Sequence, residues 1–186
     1  MLLDITFLDD ATRPQGPKLE NLTPAQKAPG QHLKMIHDHL RQNMSVLRSM
    51  IDAVARGEMS AAEVEHVAET MPLVENYRRF GSLCGQQCQI VHMHHSIEDE
   101  AIFPVLSAKA TAFAKVVERL IAEHEVVHEV LVRLIGALQA MARNPGEETF
   151  ADVKALYDAF ERILLSHLGY EEESIGDALG YYDIGV

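Results

Sequence analysis

The sequence has few of the features that define several common protein classes. Its 186 residues include only two cysteines, Cys84 and Cys88, which are too few for a disulfide scaffold. No apolar run approaches the roughly 18 residues that a membrane-spanning helix needs. The N-terminal segment is acidic, whereas a signal peptide begins with basic residues. We therefore expect a cytoplasmic protein that does not associate with membranes and that packs both cysteines in its core.

Basic residues are also scarce. The chain has 16 Lys and Arg against 28 Asp and Glu, a net charge of -12, and its basic residues form no run. Nucleic acids are bound largely through basic surfaces that neutralise phosphates, so they are not expected partners here. Hydrophobic residues make up 47% of the chain, enough for one globular domain with a real core. The sequence identifies no protein partner.

Proline and apolar periodicity divide the chain. Residues 1–30 contain four prolines, which predicts an irregular N-terminal arm. From Gln31 to near Gly57, apolar residues recur every three or four positions, which predicts a first helix. Ser60 and Glu63 form a capping-box pattern that predicts a short helical turn.

Three further long helices are predicted, and no strand pattern of useful length occurs. The second runs from Pro72 to about Phe103, with a break at Pro104, and the third runs from about Thr111 to Ala142. An Asn-Pro-Gly turn at 144–146 precedes the fourth, which extends to about Leu179. The prediction is therefore an all-α, up-down-up-down four-helix bundle over residues 31–186, with the irregular arm over residues 1–30.

Metal-ligand residue types recur at helical spacing in this pattern. Residues four apart on a helix lie about 40° apart on one face, so both side chains of such a pair can reach one point. Three pairs have this spacing, and one further histidine lies early in the first helix: His94 with Glu98, His124 with His128, His167 with Glu171, and His37. Each pair alone is also common on a solvated helix face.

The predicted topology places all seven candidates at the same end of the bundle. This end holds the start of the first helix, the end of the second, the first half of the third and the second half of the fourth. Five imidazoles and two carboxylates at one place form a ligand set suited to a pair of iron ions. His95 lies only about 100° from His94 and is either an outer donor or an alternative ligand. Asp99, Glu100, Glu172 and Glu173 are expected to be exposed.

Four segments resemble the hemerythrin-like, HHE cation-binding family of non-haem di-iron proteins. They are HHSIEDEAIFP (94–104), IHDHLR (36–41), AEHEVVHEVL (122–131) and HLGYEEE (167–173). The resemblance implies that the five candidate histidines are terminal ligands and that Glu98 and Glu171 bridge the two irons. In the oxygen-carrying members the last carboxylate follows its histidine by five residues. Glu172 is therefore the alternative to Glu171.

The ligand count predicts the function. Five nitrogens and three bridges, two of them carboxylates and one an oxo or hydroxo group, leave one open position on two octahedral irons. We therefore expect a site that binds or processes O2, H2O2 or NO, which includes the role of a peroxide- or NO-processing oxidoreductase. The alternative is a metal-dependent sensor or regulatory module without turnover. A ferritin-like di-iron site is rejected because that fold needs a glutamate inside each of its helices, and residues 31–57 contain none.

Overall fold

The computed structural model describes residues 4–57, 85–144 and 146–185. Its helices are α1 (Pro24–Ala55), α2 (Gly85–Ile97), α3 (Phe103–Lys109), α4 (Ala114–Arg143) and α5 (Glu147–Tyr181). No strand occurs in these ranges, and the predicted all-α, four-helix fold class is confirmed. The predicted turn at Ser60, the helix start at Pro72 and Cys84 lie outside the described residues, and so does the side chain of Cys88.

Helix α1 begins at Pro24, before the predicted start at Gln31. The backbone N–H of Gln26 donates to Oγ1 of Thr23 at 3.3 Å, and the backbone N–H of Thr23 donates to Oε1 of Gln26 at 3.0 Å. This reciprocal pair is a capping box, and proline is well tolerated in the first helical turn. These local signals start the helix despite Pro29 inside it.

The predicted break at Pro104 is wrong, because the helix continues through it to Lys109. A π-helical segment, Glu98–Ile102, joins α2 to α3, and the N–H of Phe103 bonds to the carbonyl of Glu98. Proline lacks an N–H, so it fits at the first turn of the following segment. The π segment buries Glu98 and Ile102 together.

The chain forms two compact units, each built from segments that are distant in sequence. The first unit comprises Met1–Ile5, Leu40–His92 and His128–Arg162, and the second comprises Thr6–His39, Met93–Val127 and Ile163–Val186. In the first unit, the hydroxyl of buried Tyr157 donates to the carbonyl of Met44, which ties α5 to α1. Arg48 of α1 forms ion pairs with Asp158 and Glu161 of α5.

The second unit has a core to which α1, α3, α4 and α5 contribute. Leu33, Phe103, Phe113, Leu120 and Ile175 are buried in this cluster. The part of the arm after Ile5 belongs to the same unit, where the hydroxyl of Tyr170 donates to the carbonyl of Pro14 at 2.9 Å. None of the described helices is both long enough and apolar enough to span a bilayer.

Candidate metal centre

Three buried histidines of the second unit are each fixed by a carboxylate behind the ring. Nδ1 donates to the carboxylate in all three, so each Nε2 carries a lone pair if the ring is neutral. The pairs and their distances are His37 with Glu172 at 2.9 Å, His124 with Asp99 at 2.9 Å, and His167 with Glu123 at 3.1 Å. This arrangement sets the tautomer of a metal-binding histidine.

The Nε2 atoms of His124 and His167 lie 3.0 Å apart. Both rings donate through Nδ1, so neither Nε2 has a proton to place between them. Burial lowers the pKa of His167 to about 4, which keeps this ring neutral near pH 7. Two nitrogens bound about 2.1 Å from one ion at a right angle would also lie about 3 Å apart. The contact is therefore suited to a shared cation.

His95 completes a three-histidine cluster with His124 and His167, in which ligand atoms lie within 4.8 Å of one another. The rings of His95 and His124 are stacked, with centroids 3.8 Å apart. His95 is buried, and its Nε2 has no hydrogen-bond partner among the described residues. An unsatisfied buried nitrogen beside two lone pairs is suited to bind the same cation.

A two-histidine cluster lies beside it in the same unit. It brings together His37 from α1, His94 from α2, Glu98 from the π segment and Glu171 from α5. The Nε2 atoms of His37 and His94 lie 2.9 Å apart. All four side chains are buried, so this cluster can hold a second cation away from solvent.

Glu98 and Glu171 each face both clusters. Oε1 of Glu98 lies 3.2 Å from Nε2 of His94, and its Oε2 lies 3.7 Å from Nε2 of His124. Oε2 of Glu171 lies 3.5 Å from Nε2 of His37 and 3.6 Å from Nε2 of His167. In the described part of the chain, none of their four carboxylate oxygens has a hydrogen-bond partner. Such oxygens are costly to bury unless a cation neutralises them.

The metal-free centre favours uncharged side chains. Burial raises the pKa of Glu171 to about 7, and burial together with Glu171 raises the pKa of Glu98 well above its ordinary value. Burial and the neighbouring histidines lower the pKa of His94 to about 3 and the pKa of His95 well below its ordinary value. Near neutral pH, a bound cation therefore displaces protons from the carboxylates rather than from these histidines.

Six of the seven predicted site residues meet in these clusters, and His128 is in neither. His128 is exposed in the first unit, where its ring lies 4.9 Å from the ring of His92. His95, whose role the sequence left open, lies in the three-histidine cluster.

The outer carboxylates were harder to predict. Asp99 and Glu172 were expected to be exposed, but their side chains are only 34% and 17% exposed. Asp99 accepts a hydrogen bond from His124, and Glu172 accepts one from His37. Glu100 and Glu173 are exposed as expected. Glu123 was not predicted at all, and its position directly before His124 carries no distinctive spacing signal.

Comparison with known families agrees with this geometry. A profile of the family described as "Hemerythrin HHE cation binding domain" matches residues 30–179, which is more than half of the chain. The chain belongs to this family. The hemerythrin-like resemblance is thus confirmed, and the clusters of histidine and glutamate fit a cation-binding member of the HHE family. Searches of curated proteins and of solved structures found no match.

Proposed function

We propose that this HHE-family protein holds two iron ions and binds or processes O2, H2O2 or NO there. His95, His124 and His167 hold one ion, while His37 and His94 hold the other. Glu98 and Glu171 bridge them together with an oxo or hydroxo group. The observation that carries the proposal is the 3.0 Å separation of the Nε2 atoms of His124 and His167, each with a lone pair. Beside them lie the four carboxylate oxygens of Glu98 and Glu171, which have no hydrogen-bond partner among the described residues.

The charge of the side chains supports two divalent cations. The inner carboxylates Glu98 and Glu171 and the outer carboxylates Asp99, Glu123 and Glu172 provide five negative charges when ionised. Arg13 and Arg119 both donate to Glu123 and offset two of them. The remaining charge attracts a strongly positive group, because unpaired buried charges are costly.

The unequal clusters support a small ligand. The two-histidine cluster supplies one imidazole fewer, so a small molecule has room for a bond on that side. Phe103 is fully buried, and its ring lies 5.5 Å from the ring of His124, which keeps bulk water from the three-histidine side. When bound, iron would supply the redox change that O2, peroxide or NO chemistry requires.

A sensor without turnover is the second candidate function. One contact favours it, because Arg13 of the N-terminal arm donates to Glu123, which in turn accepts from His167. A change at the cluster could therefore alter how the arm packs. The arm then would serve as the output of the sensor.

Anaerobic loading with Fe(II), followed by separate additions of O2, H2O2 and NO, tests the proposal. We expect a new near-ultraviolet absorption band with at least one of them, and Glu98→Ala should lose it while Glu173→Ala keeps it. Catalytic consumption of peroxide or NO supports an enzyme, whereas binding without turnover supports a carrier or a sensor, and of these only the sensor requires a ligand-dependent change in the mobility of the arm. An iron-loaded protein that shows no spectral change with any of the three contradicts the proposal.

A further inference from the structure

Arg13 of the N-terminal arm forms two hydrogen bonds with Glu123, the carboxylate that accepts a hydrogen bond from His167. Its Nε donates to Oε1 of Glu123 at 2.9 Å, and its Nη2 donates to Oε2 at 3.0 Å. Such a two-point contact fixes the plane of a carboxylate, which a single point charge does not. Oε2 of Glu123 also accepts from Nδ1 of His167 at 3.1 Å. An unbroken set of contacts thus runs from the arm to the three-histidine cluster.

Arg13 is itself held in place from two further sides. Its Nη1 donates to Oγ of Ser166 at 2.9 Å, and its guanidinium carbon lies 4.7 Å from the ring centroid of Tyr170. Both partners lie on α5, on either side of His167 in sequence. The Arg13 side chain is only 13% exposed, so this contact is shielded from solvent and from salt.

The other outer carboxylates are more exposed than Glu123. Glu172 has Lys34 at 3.7 Å, but the Lys34 side chain is 57% exposed. The Asp99 side chain is 34% exposed, whereas that of Glu123 is 6% exposed. Arg13 therefore contacts the least exposed of the three outer carboxylates, the one behind the three-histidine cluster.

We propose that Arg13 is a positioning residue for His167. By clamping Glu123, it keeps Nδ1 of His167 engaged and Nε2 directed at the three-histidine cluster. The arm thereby controls how long the ion at that cluster is retained. This inference rests on the proposed two-ion site.

Release of iron to a chelator from anaerobically loaded protein tests the inference. Loss of an outer partner of a metal-binding histidine typically weakens binding about 10- to 100-fold. Arg13 acts through one further contact, so we expect Arg13→Ala to speed release of one ion about 10-fold and leave the other unchanged. Arg13→Lys keeps the charge without the two-point contact and should fall between. Glu172→Gln should speed release of the other ion, because Glu172 supports His37.

Asp4→Ala is the matched control. It removes the ion pair between the arm and Arg133, which belongs to the first unit. We expect release at the wild-type rate from this variant. Equal acceleration of both ions by Arg13→Ala, or the same effect from Asp4→Ala, would show that the arm merely stabilises the fold and overturns the inference. Wild-type rates in both Arg13 variants also overturn it, whereas a wild-type chain that binds fewer than two ions overturns the proposed site itself.

Discussion

Nδ1 of His37 lies 2.9 Å from Oε1 of Glu172, so a residue of α5 supports a histidine of α1. The neighbouring residues of α5 have different surroundings. Glu171 is fully buried between the clusters, and Glu173 is exposed. Successive helical residues point about 100° apart, so three consecutive glutamates take three different roles.

These three glutamates form a graded series of alanine variants. Glu171→Ala removes the carboxylate whose Oε2 faces both clusters and should cost at least one of two bound irons. Glu172→Ala removes only the support of His37 and should weaken binding of one ion about 10-fold or more. Glu173→Ala should bind as the wild type does. Metal analysis after dialysis measures all three, and greater iron loss from Glu172→Ala than from Glu171→Ala would contradict the assignment.

Sequence periodicity was enough to predict an all-α chain and six of the seven residues in the two clusters, although not the helix boundaries. The i,i+4 rule placed His94 with Glu98 and His167 with Glu171 on shared faces, and both pairs meet in the structure. The same rule paired His124 with His128. In the structure His124 is buried in the three-histidine cluster, whereas His128, one helical turn later, is exposed. The spacing of two residues along a helix shows whether they share a face, whereas the burial of each side chain depends on how the neighbouring helices pack.

The π segment and the outer contacts were beyond the sequence patterns. Pro104 suggested a break in the helix. The sequence gives no sign of the π-helical segment Glu98–Ile102, which joins the helix before the proline to the one that contains it. Glu123 meets Arg13 across 110 residues of sequence, and no local spacing reports such a contact. Asp99 and Glu172 are charged residues on helices, so the sequence predicted that they are exposed to solvent, whereas both are partly buried.

His95 and His128 provide a direct comparison of structure with sequence. His95→Ala should lose the ion of the three-histidine cluster, because it removes one of three nitrogens there. His128→Ala should retain both ions, since His128 is exposed beside His92. Iron content per chain after gel filtration measures the difference. Iron loss from His128→Ala with retention in His95→Ala would reverse the assignment.

Glu171 should make the metal-free protein less stable as pH rises. Burial raises its folded-state pKa to about 7, above the ordinary value of 4.5, so the folded state binds the proton more tightly than the unfolded chain. The resulting stability is present below about pH 4.5 and is lost as pH rises through about 7. Glu171→Gln should therefore stabilise the metal-free protein at pH 8 by on the order of 2 kcal/mol.

Urea denaturation of metal-free wild type and Glu171→Gln at pH 8 and pH 4 measures this effect. The gain should be absent at pH 4, where Glu171 is protonated in the folded protein. Exposed Glu173→Gln is the control and should change little at either pH. An equal gain at both pH values would mean that the ionised carboxylate is not the cause.

Glycine allows α1 and α5 to approach closely in the second unit. A Cβ added at Gly30 would lie 2.5 Å from the carbonyl oxygen of Gly176, a backbone atom that cannot easily move. Gly30→Ala should therefore destabilise the fold by about 1 to 3 kcal/mol. A Cβ at Gly169 meets nothing within 4 Å, so Gly169→Ala should stabilise α5 by about 0.5 to 1 kcal/mol. Thermal unfolding that shows the same shift for both variants would contradict this close approach.

Anomalous diffraction at the iron edge from crystals of the iron-loaded protein tests the two-ion site most directly. We predict two peaks about 3.5 Å apart. One should be bound by His95, His124 and His167 and the other by His37 and His94, with carboxylate oxygens of Glu98 and Glu171 between them. A single peak, or an iron bound by His128, would contradict the account.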